Sequence, residues 1–227
     1  MLVKTKGIVL RFVKYKETSV IATIYTIDKG VISVIANSVR NKNGKGKIAL
    51  FQPLSLVEIV IYYNPSKSIS RISEISSYHP LHNLRQDAVK SSISIFITEM
   101  LNKCLKEEEA NPPFFNFIQN SIIHLNEQQS EVQNFHLIFL LKFSLFLGFK
   151  PHSTNDFVQQ ITNSSFYLNN TNAITLEILL KANYETPLNL ESTTRFKILA
   201  DLLEYYQHHI DIGKINSIEV LHTLLHD

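Results

Sequence analysis

The first third of the chain alternates apolar and polar residues, the pattern of β-strands that bury one face. Strands are predicted at residues 7–13, 19–27, 31–36, 54–63 and 68–76. Isoleucines three residues apart make the segment at 68–76 ambiguous, but its β-branched content and the preceding turn favour a last strand with a bulge. Asp28-Lys29-Gly30 predicts a hairpin turn in which Gly30 takes a positive φ.

The period of the pattern changes after Pro80, where apolar residues recur at steps of three and four. Helices are predicted at residues 84–105, 114–125, 132–147, 175–182, 192–209 and 217–225, and Gly148 should end the third. A short hairpin is expected near 153–175, around Phe166-Tyr167-Leu168. Strands that precede helices, without alternation, predict an α+β chain. We expect a five-stranded OB-type β-barrel at 1–80, followed by an all-helical domain at 81–227.

Positive charge is concentrated at the start of the chain. Residues 1–50 hold ten Lys or Arg and two acids, a net of +8, whereas the other 177 residues carry a net of −6. The overall net charge of +2 is therefore a cancellation. Such an asymmetry indicates a nucleic acid or another anionic surface as the partner.

DNA-binding residues are predicted within this basic segment, since Lys and Arg bind phosphates. The loop at 41–47, NKNGKGK, has no apolar residue and could follow an irregular strand. Four aromatic residues lie among the charges and could stack on bases, although some must be core: Phe12, Tyr15, Tyr25 and Phe51. The alternative is a solvated basic surface without a ligand. The predicted set is Lys6, Arg11, Lys14, Lys16, Arg40, Lys42, Lys45 and Lys47.

Composition and apolar run lengths favour a soluble cytoplasmic protein. Cys104 is the one cysteine, so an intrachain disulfide and a multi-thiolate metal site are excluded. The longest apolar run, 137–149, is too short to span a bilayer. The N-terminal segment lacks the apolar centre of a secretion signal.

Motifs of an enzyme are not found. GKGK at 44–47 lacks the spacing and the hydroxyl of a phosphate-binding loop, and neither a GxSxG elbow nor a cluster of acids occurs. Cys104 falls on an apolar helix face, which favours an inert buried thiol. His222 and His226 could share a metal, but surface histidines are the favoured interpretation. We expect no catalytic residue, no metal and no cofactor.

Several segments, in their order and spacing, resemble the RecO family of recombination mediators. The similarity covers almost the whole chain, and its strength lies in the succession, since no single motif is diagnostic. The segments are GIVLRFVKYKETSVIATIYTIDKGVISVIANSVR at 7–40, Gln52-Pro53, Tyr78-His79-Pro80, Glu99-Met100-Leu101, Pro113-Phe114, FSLFLGFKP at 143–151, LEYYQHHI at 203–210 and INSIEVL at 215–221.

The resemblance implies a non-enzymatic protein that binds single- and double-stranded DNA and anneals complementary strands. It implies RecR as a partner, RecA loading as the indirect outcome, and docking of the tail of single-strand-binding protein on the helical domain. A groove between the helices at 84–105 and 132–147 could accept that tail. No membrane is involved.

One departure from the family concerns zinc. Many RecO proteins carry a four-cysteine zinc site in the segment that corresponds to 152–191, where this chain has no cysteine. We therefore expect no structural zinc, with packing around Phe157, Phe166 and Leu168 instead. A different hypothesis is an adaptor whose positive surface binds an acidic protein without acting on DNA.

Overall fold

The computed structural model describes residues 1–40, 47–106, 109–129, 132–162 and 164–225. Its N-terminal part is a closed barrel with the strand order β1-β2-β3-β5-β4. The strands are β1 (Leu2–Tyr15), β2 (Ser19–Thr26), β3 (Gly30–Ala36), β4 (Leu56–Tyr62) and β5 (Ile69–His79). The predicted α+β class and OB-type barrel are confirmed. Strands β1 and β5 extend beyond their predicted bounds.

The apolar face of each strand fills the barrel, with Val9, Ile24, Val34 and Ile59 fully buried. Gly30 has a φ of +62° at the turn between β2 and β3, as predicted. Gly7 serves a different purpose. A Cβ there would stand 2.5 Å from Cγ2 of Ile24, so glycine allows β1 and β2 to approach closely.

Bulges interrupt the two longest strands. Strand β1 leaves its register with β2 at Leu10, and β5 leaves its register with β4 at Ser73 and at Tyr78. A bulge bends a strand and increases its twist, which helps a long strand to pair with two neighbours around a barrel. The predicted bulge in the last strand is confirmed.

Helices follow the barrel, and their bounds are α1 (His82–Gln86), α2 (Ala88–Cys104), α3 (Pro112–Glu127), α4 (Phe135–Phe146), α5 (Thr154–Val158), α6 (Asn170–Lys181), α7 (Ser192–His209) and α8 (Ile218–Leu224). Short 3₁₀ helices occupy Ile48–Phe51 and Ser164–Leu168. Within the part of the chain that the structure describes, no helix is long and apolar enough to cross a membrane.

The prediction of one continuous helix at 84–105 is wrong, because α1 and α2 are separate. The backbone N–H of Lys90 donates a hydrogen bond of 2.9 Å to Oδ1 of Asp87. Asp87 therefore caps the start of a new helix. The helix predicted at 192–209 has the observed bounds of α7.

The hairpin predicted near 153–175 is wrong, since Phe166, Tyr167 and Leu168 lie in a 3₁₀ helix between α5 and α6. Helix caps favour this outcome: Ser153 accepts from the N–H of Asp156, and Asn169 accepts from the N–H of Thr171. The buried side chain is Tyr167, whereas Leu168 is 86% exposed. Leu168 therefore does not take the packing role predicted for it.

Other side chains stabilise this region. Phe157 is fully buried, as predicted, and its ring packs edge-on against that of Tyr167. The hydroxyl of Tyr167 donates a hydrogen bond of 2.9 Å to Oδ2 of Asp201 on α7. Burial and this carboxylate both raise the pKa of Tyr167, so the hydroxyl keeps its proton and remains a donor.

The chain forms two compact units that alternate along the sequence after residue 86. The first, the barrel unit, comprises Met1–Gln86 and Thr98–Asn126, and the second, the helical unit, comprises Asp87–Ile97 and Glu127–Asp227. Helix α4 is buried nearly all round in the helical unit, as predicted, and ends before Gly148, whose φ is +87°. The predicted domain boundary between residues 80 and 81 stays a prediction.

Candidate nucleic-acid interface

A row of polar side chains crosses the outer face of the first three strands. The register places Arg11 of β1 opposite Thr23 of β2, and Thr23 opposite Ser33 of β3. Their strand neighbours Ala22, Ile24 and Val34 point into the core, so the row faces outward. Nε of Arg11 donates a hydrogen bond of 3.2 Å to the hydroxyl of Thr23, which orients the guanidinium along the row.

The row forms the floor of a groove of about 490 Å³, which we call the cationic groove. Its other walls are the β4–β5 turn and the segment after α2. Strands 2 and 3 and the loop between strands 4 and 5 are the surface on which OB barrels bind nucleic acids. The lining residues are Arg11, Thr23, Lys29, Val31, Ile32, Ser33, Tyr63, Pro65, Ser66, Lys67, Ser68, Ser70 and Lys106.

Four of these lining residues are basic, namely Arg11, Lys29, Lys67 and Lys106, and none of those that the structure describes is acidic. Like charges converge here from positions as far apart in sequence as 11 and 106. Cations gathered without counter-charges destabilise one another in an empty groove, and an anion relieves that repulsion.

The β4–β5 turn holds Lys67 in place. Oδ1 of Asn64 accepts a hydrogen bond of 3.0 Å from the N–H of Ser66, and the carbonyl of Asn64 accepts one of 3.1 Å from the N–H of Lys67. Asparagine commonly stabilises turns through such bonds to the following backbone. Nζ of Lys29 lies 5.3 Å from the ring centroid of Tyr63, at the first residue after β4.

The predicted DNA-binding residues fall into separate places. Arg11 lies in the cationic groove. Lys16 and Arg40 come together at the β1–β2 turn, where Nη1 of Arg40 donates to the carbonyl of Lys16 over 3.3 Å, and Lys14 is exposed near the same end of β1. Lys6 lies elsewhere, with Nζ 4.9 Å from the ring centroid of Tyr78.

Of the three cations predicted in the loop at 41–47, the structure describes Lys47. Lys42 and Lys45 lie outside the described residues. Lys47 is exposed and lines a smaller cavity that also contains Glu74. Among the described members of the predicted set, Arg11 is therefore the one that lies with other cations in the groove.

Sequence reasoning missed Lys29, Lys67 and Lys106 as groove residues. Lys29 was counted in the basic segment, but Lys67 and Lys106 lie in the part of the chain with net negative charge. A signal for Lys67 was present, because the turn Asn64-Pro65-Ser66 between two strands corresponds to a binding loop of an OB barrel. No local signal marks Lys106.

The aromatic residues considered for base stacking are mostly core residues. Tyr25 and Phe51 are fully buried, and Phe12 packs against the barrel core. The ring of Tyr25 contacts those of Phe114 and Phe115 on α3, with centroids 6.0 and 5.8 Å apart. Tyr15 stays exposed on β1, outside the groove lining.

Metal-ligating side chains are not clustered in the described residues. No three side chains of His, Cys, Asp or Glu converge there. The segment at 152–191 also lacks the thiolates of the family's zinc site, so its residues do not fit that metal. Cys104 is buried, as predicted, and burial raises the pKa of its thiol to about 12, which leaves little thiolate at neutral pH.

The chain is similar to known proteins over its whole length. The family model Recombination protein O N terminal matches residues 1–81, and Recombination protein O C terminal matches residues 85–219. The DNA repair protein RecO of Phocaeicola vulgatus is 35% identical over 240 residues and that of Bacteroides fragilis 36% over 241, each with 99% of both chains covered. That of Flavobacterium psychrophilum is 34% identical over 234 residues, with 97% of this chain and 98% of the relative covered.

The chain belongs to the RecO family.

The resemblance inferred from the sequence is thereby confirmed, and a role in DNA repair and recombination follows from the family. In this RecO protein the matched N-terminal region is the closed barrel, which carries the row of Arg11, Thr23 and Ser33.

Proposed function

We propose that this RecO protein binds single- and double-stranded DNA in the cationic groove and anneals complementary strands. Arg11, Lys29, Lys67 and Lys106 would neutralise phosphates, so that two strands approach despite their mutual repulsion. The exposed cations Lys14, Lys16 and Arg40 at the β1–β2 turn, and Lys6 on β1, would extend the binding surface. We further propose that the protein acts in the cytoplasm without catalysing a reaction.

The convergence of four cations without a described acid supports this proposal most directly. Simple net charge does not explain it, because Lys67 and Lys106 come from the acidic part of the chain. The position of the groove on β1–β3 and the β4–β5 turn adds support, since OB barrels use this surface for nucleic acids.

A salt titration of DNA binding tests the proposal. If a single strand contacts all four cations, the slope of log affinity against log salt should be about −2.8, at about −0.7 per phosphate. Lys67→Glu with Lys106→Glu should make the slope shallower by about 1.4 and weaken binding on the order of tenfold or more at low salt. The same variant should lose acceleration of strand annealing.

The matched control is Lys150→Glu with Lys181→Glu, which makes the same change in net charge on the helical unit. It should leave DNA affinity and salt slope unchanged. Equal losses in both double variants would mean that net charge rather than the groove determines binding, and undiminished binding in the groove variant would refute the proposal.

We also propose that this protein works with RecR in RecA loading and docks the acidic, apolar tail of single-strand-binding protein on the helical unit. A cavity of about 710 Å³ there is lined by the apolar residues Leu145, Pro151 and Leu180, by Lys150, and by Lys181, which forms an ion pair with Glu177 of the same lining. Apolar walls beside the ammonium of Lys150 suit a peptide that carries both apolar side chains and carboxylates, and a carboxylate of the peptide would compete with Glu177 for Lys181. Leu145 is on α4, the other walls come from α5, α6 and the segment before α5, and none of the described lining residues comes from the helix expected at 84–105.

A tail peptide labelled with a fluorophore separates the two functions. Lys150→Glu with Lys181→Glu should abolish most peptide binding while DNA affinity is kept. Lys67→Glu with Lys106→Glu should do the opposite. If the groove variant keeps annealing but loses a protein partner, the adaptor hypothesis would replace the DNA-binding one.

A further inference from the structure

We propose that the cationic groove binds a chain of phosphates without stacking any base, so that nucleic acid and inorganic polyphosphate compete for it. For nucleic acid this inference rests on the DNA binding proposed above. The groove would recognise its ligand through phosphate groups alone, so the ligand class also includes a polyanion without bases.

The lining has the composition of a phosphate site. Besides the four cations it contains five aliphatic hydroxyl groups, those of Thr23, Ser33, Ser66, Ser68 and Ser70. Hydroxyl groups donate hydrogen bonds to phosphate oxygens, and cations form charge-assisted bonds to them. The side-chain amides that read adenine and the carboxylates that read cytosine are absent from the described lining.

A platform for bases is missing from the same lining. Its single aromatic residue in the described part is Tyr63, which is half-buried against the barrel core. The ammonium of Lys29 lies 5.3 Å from the ring centroid of Tyr63, where it occupies the position that a stacked base would take. Single-strand binders that stack bases need open aromatic faces.

The row geometry also favours a backbone ligand. Arg11, Thr23 and Ser33 succeed one another across three paired strands, so their backbone positions follow one another at about 4.8 Å, the distance between neighbouring strands. Lys67 and Lys106 line the same groove. A flexible chain of phosphate groups can follow such a row whether or not bases are attached to it.

The experiment compares three ligands for the full-length protein by fluorescence anisotropy. The first is a labelled oligothymidylate of about twenty nucleotides, and the second is the same oligonucleotide with abasic residues throughout. The third is inorganic polyphosphate of similar length, used end-labelled to measure direct binding and unlabelled as a competitor. Abasic DNA should bind within about threefold of oligothymidylate, whereas stacking of even one or two bases would weaken abasic binding by tenfold or more.

Two variants keep the inference falsifiable. Lys67→Gln with Lys106→Gln should weaken oligothymidylate, abasic DNA and polyphosphate by the same factor, because all three use the same cations. Tyr63→Leu, checked for folding by thermal denaturation, should change oligothymidylate affinity by less than about twofold. A tenfold loss in Tyr63→Leu that spares abasic DNA would show stacking and overturn the inference.

The outcomes also separate this inference from the proposed function. If the protein binds oligothymidylate but neither abasic DNA nor polyphosphate, DNA binding stands and the phosphate-only groove is overturned. If polyphosphate binds but DNA does not, the phosphate-binding groove stands and the proposed DNA binding is overturned. Binding of neither polyanion overturns both.

Discussion

The side-chain amide of Asn102 donates a hydrogen bond of 3.0 Å to the backbone carbonyl of Leu10. Leu10 is the bulged residue of β1, and Arg11 of the cationic groove follows it directly. A bulge leaves one residue unpaired in the strand ladder. Asn102 thus supplies a partner at the place where the chain turns Arg11 outward.

Asn102→Ala should lower the free energy of unfolding by about 1–2 kcal/mol, because the carbonyl of Leu10 would lose its donor. Urea denaturation followed by circular dichroism measures this. Asn155→Ala changes an exposed asparagine of α5 and should shift the midpoint little. Equal shifts in the two variants would contradict a special role for Asn102.

Thr23→Val should weaken DNA binding a few-fold without a change in salt slope. The variant keeps every charge but removes the hydroxyl that accepts from Nε of Arg11, so the guanidinium loses its orientation. Thr23→Ser retains the hydroxyl and should bind like the parent protein. A change in slope for Thr23→Val would mean that a phosphate contact itself was lost.

Acid should destabilise the protein through His136. Burial, with a smaller contribution from the charge of Arg195, lowers the pKa of this histidine to about 3. Below pH 6.5 the unfolded state takes up a proton that the folded state refuses, so stability falls with falling pH by about 1.4 kcal/mol per unit down to about pH 3.

His136→Leu should remove this component. Urea denaturation at pH 7.5, 6 and 5 should show a smaller loss for the variant than for the parent protein, by about 2 kcal/mol at pH 5. His152→Gln, which changes an exposed histidine, is the control and should follow the parent. Parallel pH curves for parent and His136→Leu would refute the assignment.

Arg195→Ala should cost about 3 kcal/mol or more. Its buried guanidinium donates hydrogen bonds to Oδ1 of Asn134 and to the carbonyls of Leu190 and Leu225, so three acceptors would lose their partner. Arg195→Lys should recover only part of the loss, because one ammonium cannot reproduce the planar fork.

The control for Arg195 is Lys181→Ala, which breaks the exposed Lys181–Glu177 ion pair and should leave the free energy of unfolding nearly unchanged. Thermal and urea denaturation provide the comparison. Full stability of Arg195→Ala would mean that water replaces all three hydrogen bonds.

The strands of the barrel were predicted well, because apolar–polar alternation and a turn glycine are set by residues that are close together in the sequence. The row of Arg11, Thr23 and Ser33 depends on strand register, which the bulge at Leu10 shifts by one position. Lys106 enters the groove only through the fold. Neither the register shift at Leu10 nor the position of Lys106 can be predicted from the spacing of residues along the sequence.

Errors in the helical part arose where caps competed with apolar periodicity. The apolar steps run through Asp87, but its carboxylate caps a new helix. Phe166-Tyr167-Leu168 has the composition of a strand, yet the caps at Ser153 and Asn169 start helices on either side. Which of three adjacent large side chains is buried then depends on the tyrosine hydroxyl that reaches Asp201.

The contact of Tyr25 with Phe114 and Phe115 determines where the chain can be truncated. A fragment that stops at residue 80 would expose the aromatic ring of Tyr25 to solvent, and exposed apolar surface of this kind promotes aggregation. A fragment of residues 1–126 would retain both phenylalanines and should be more soluble than the fragment of residues 1–80.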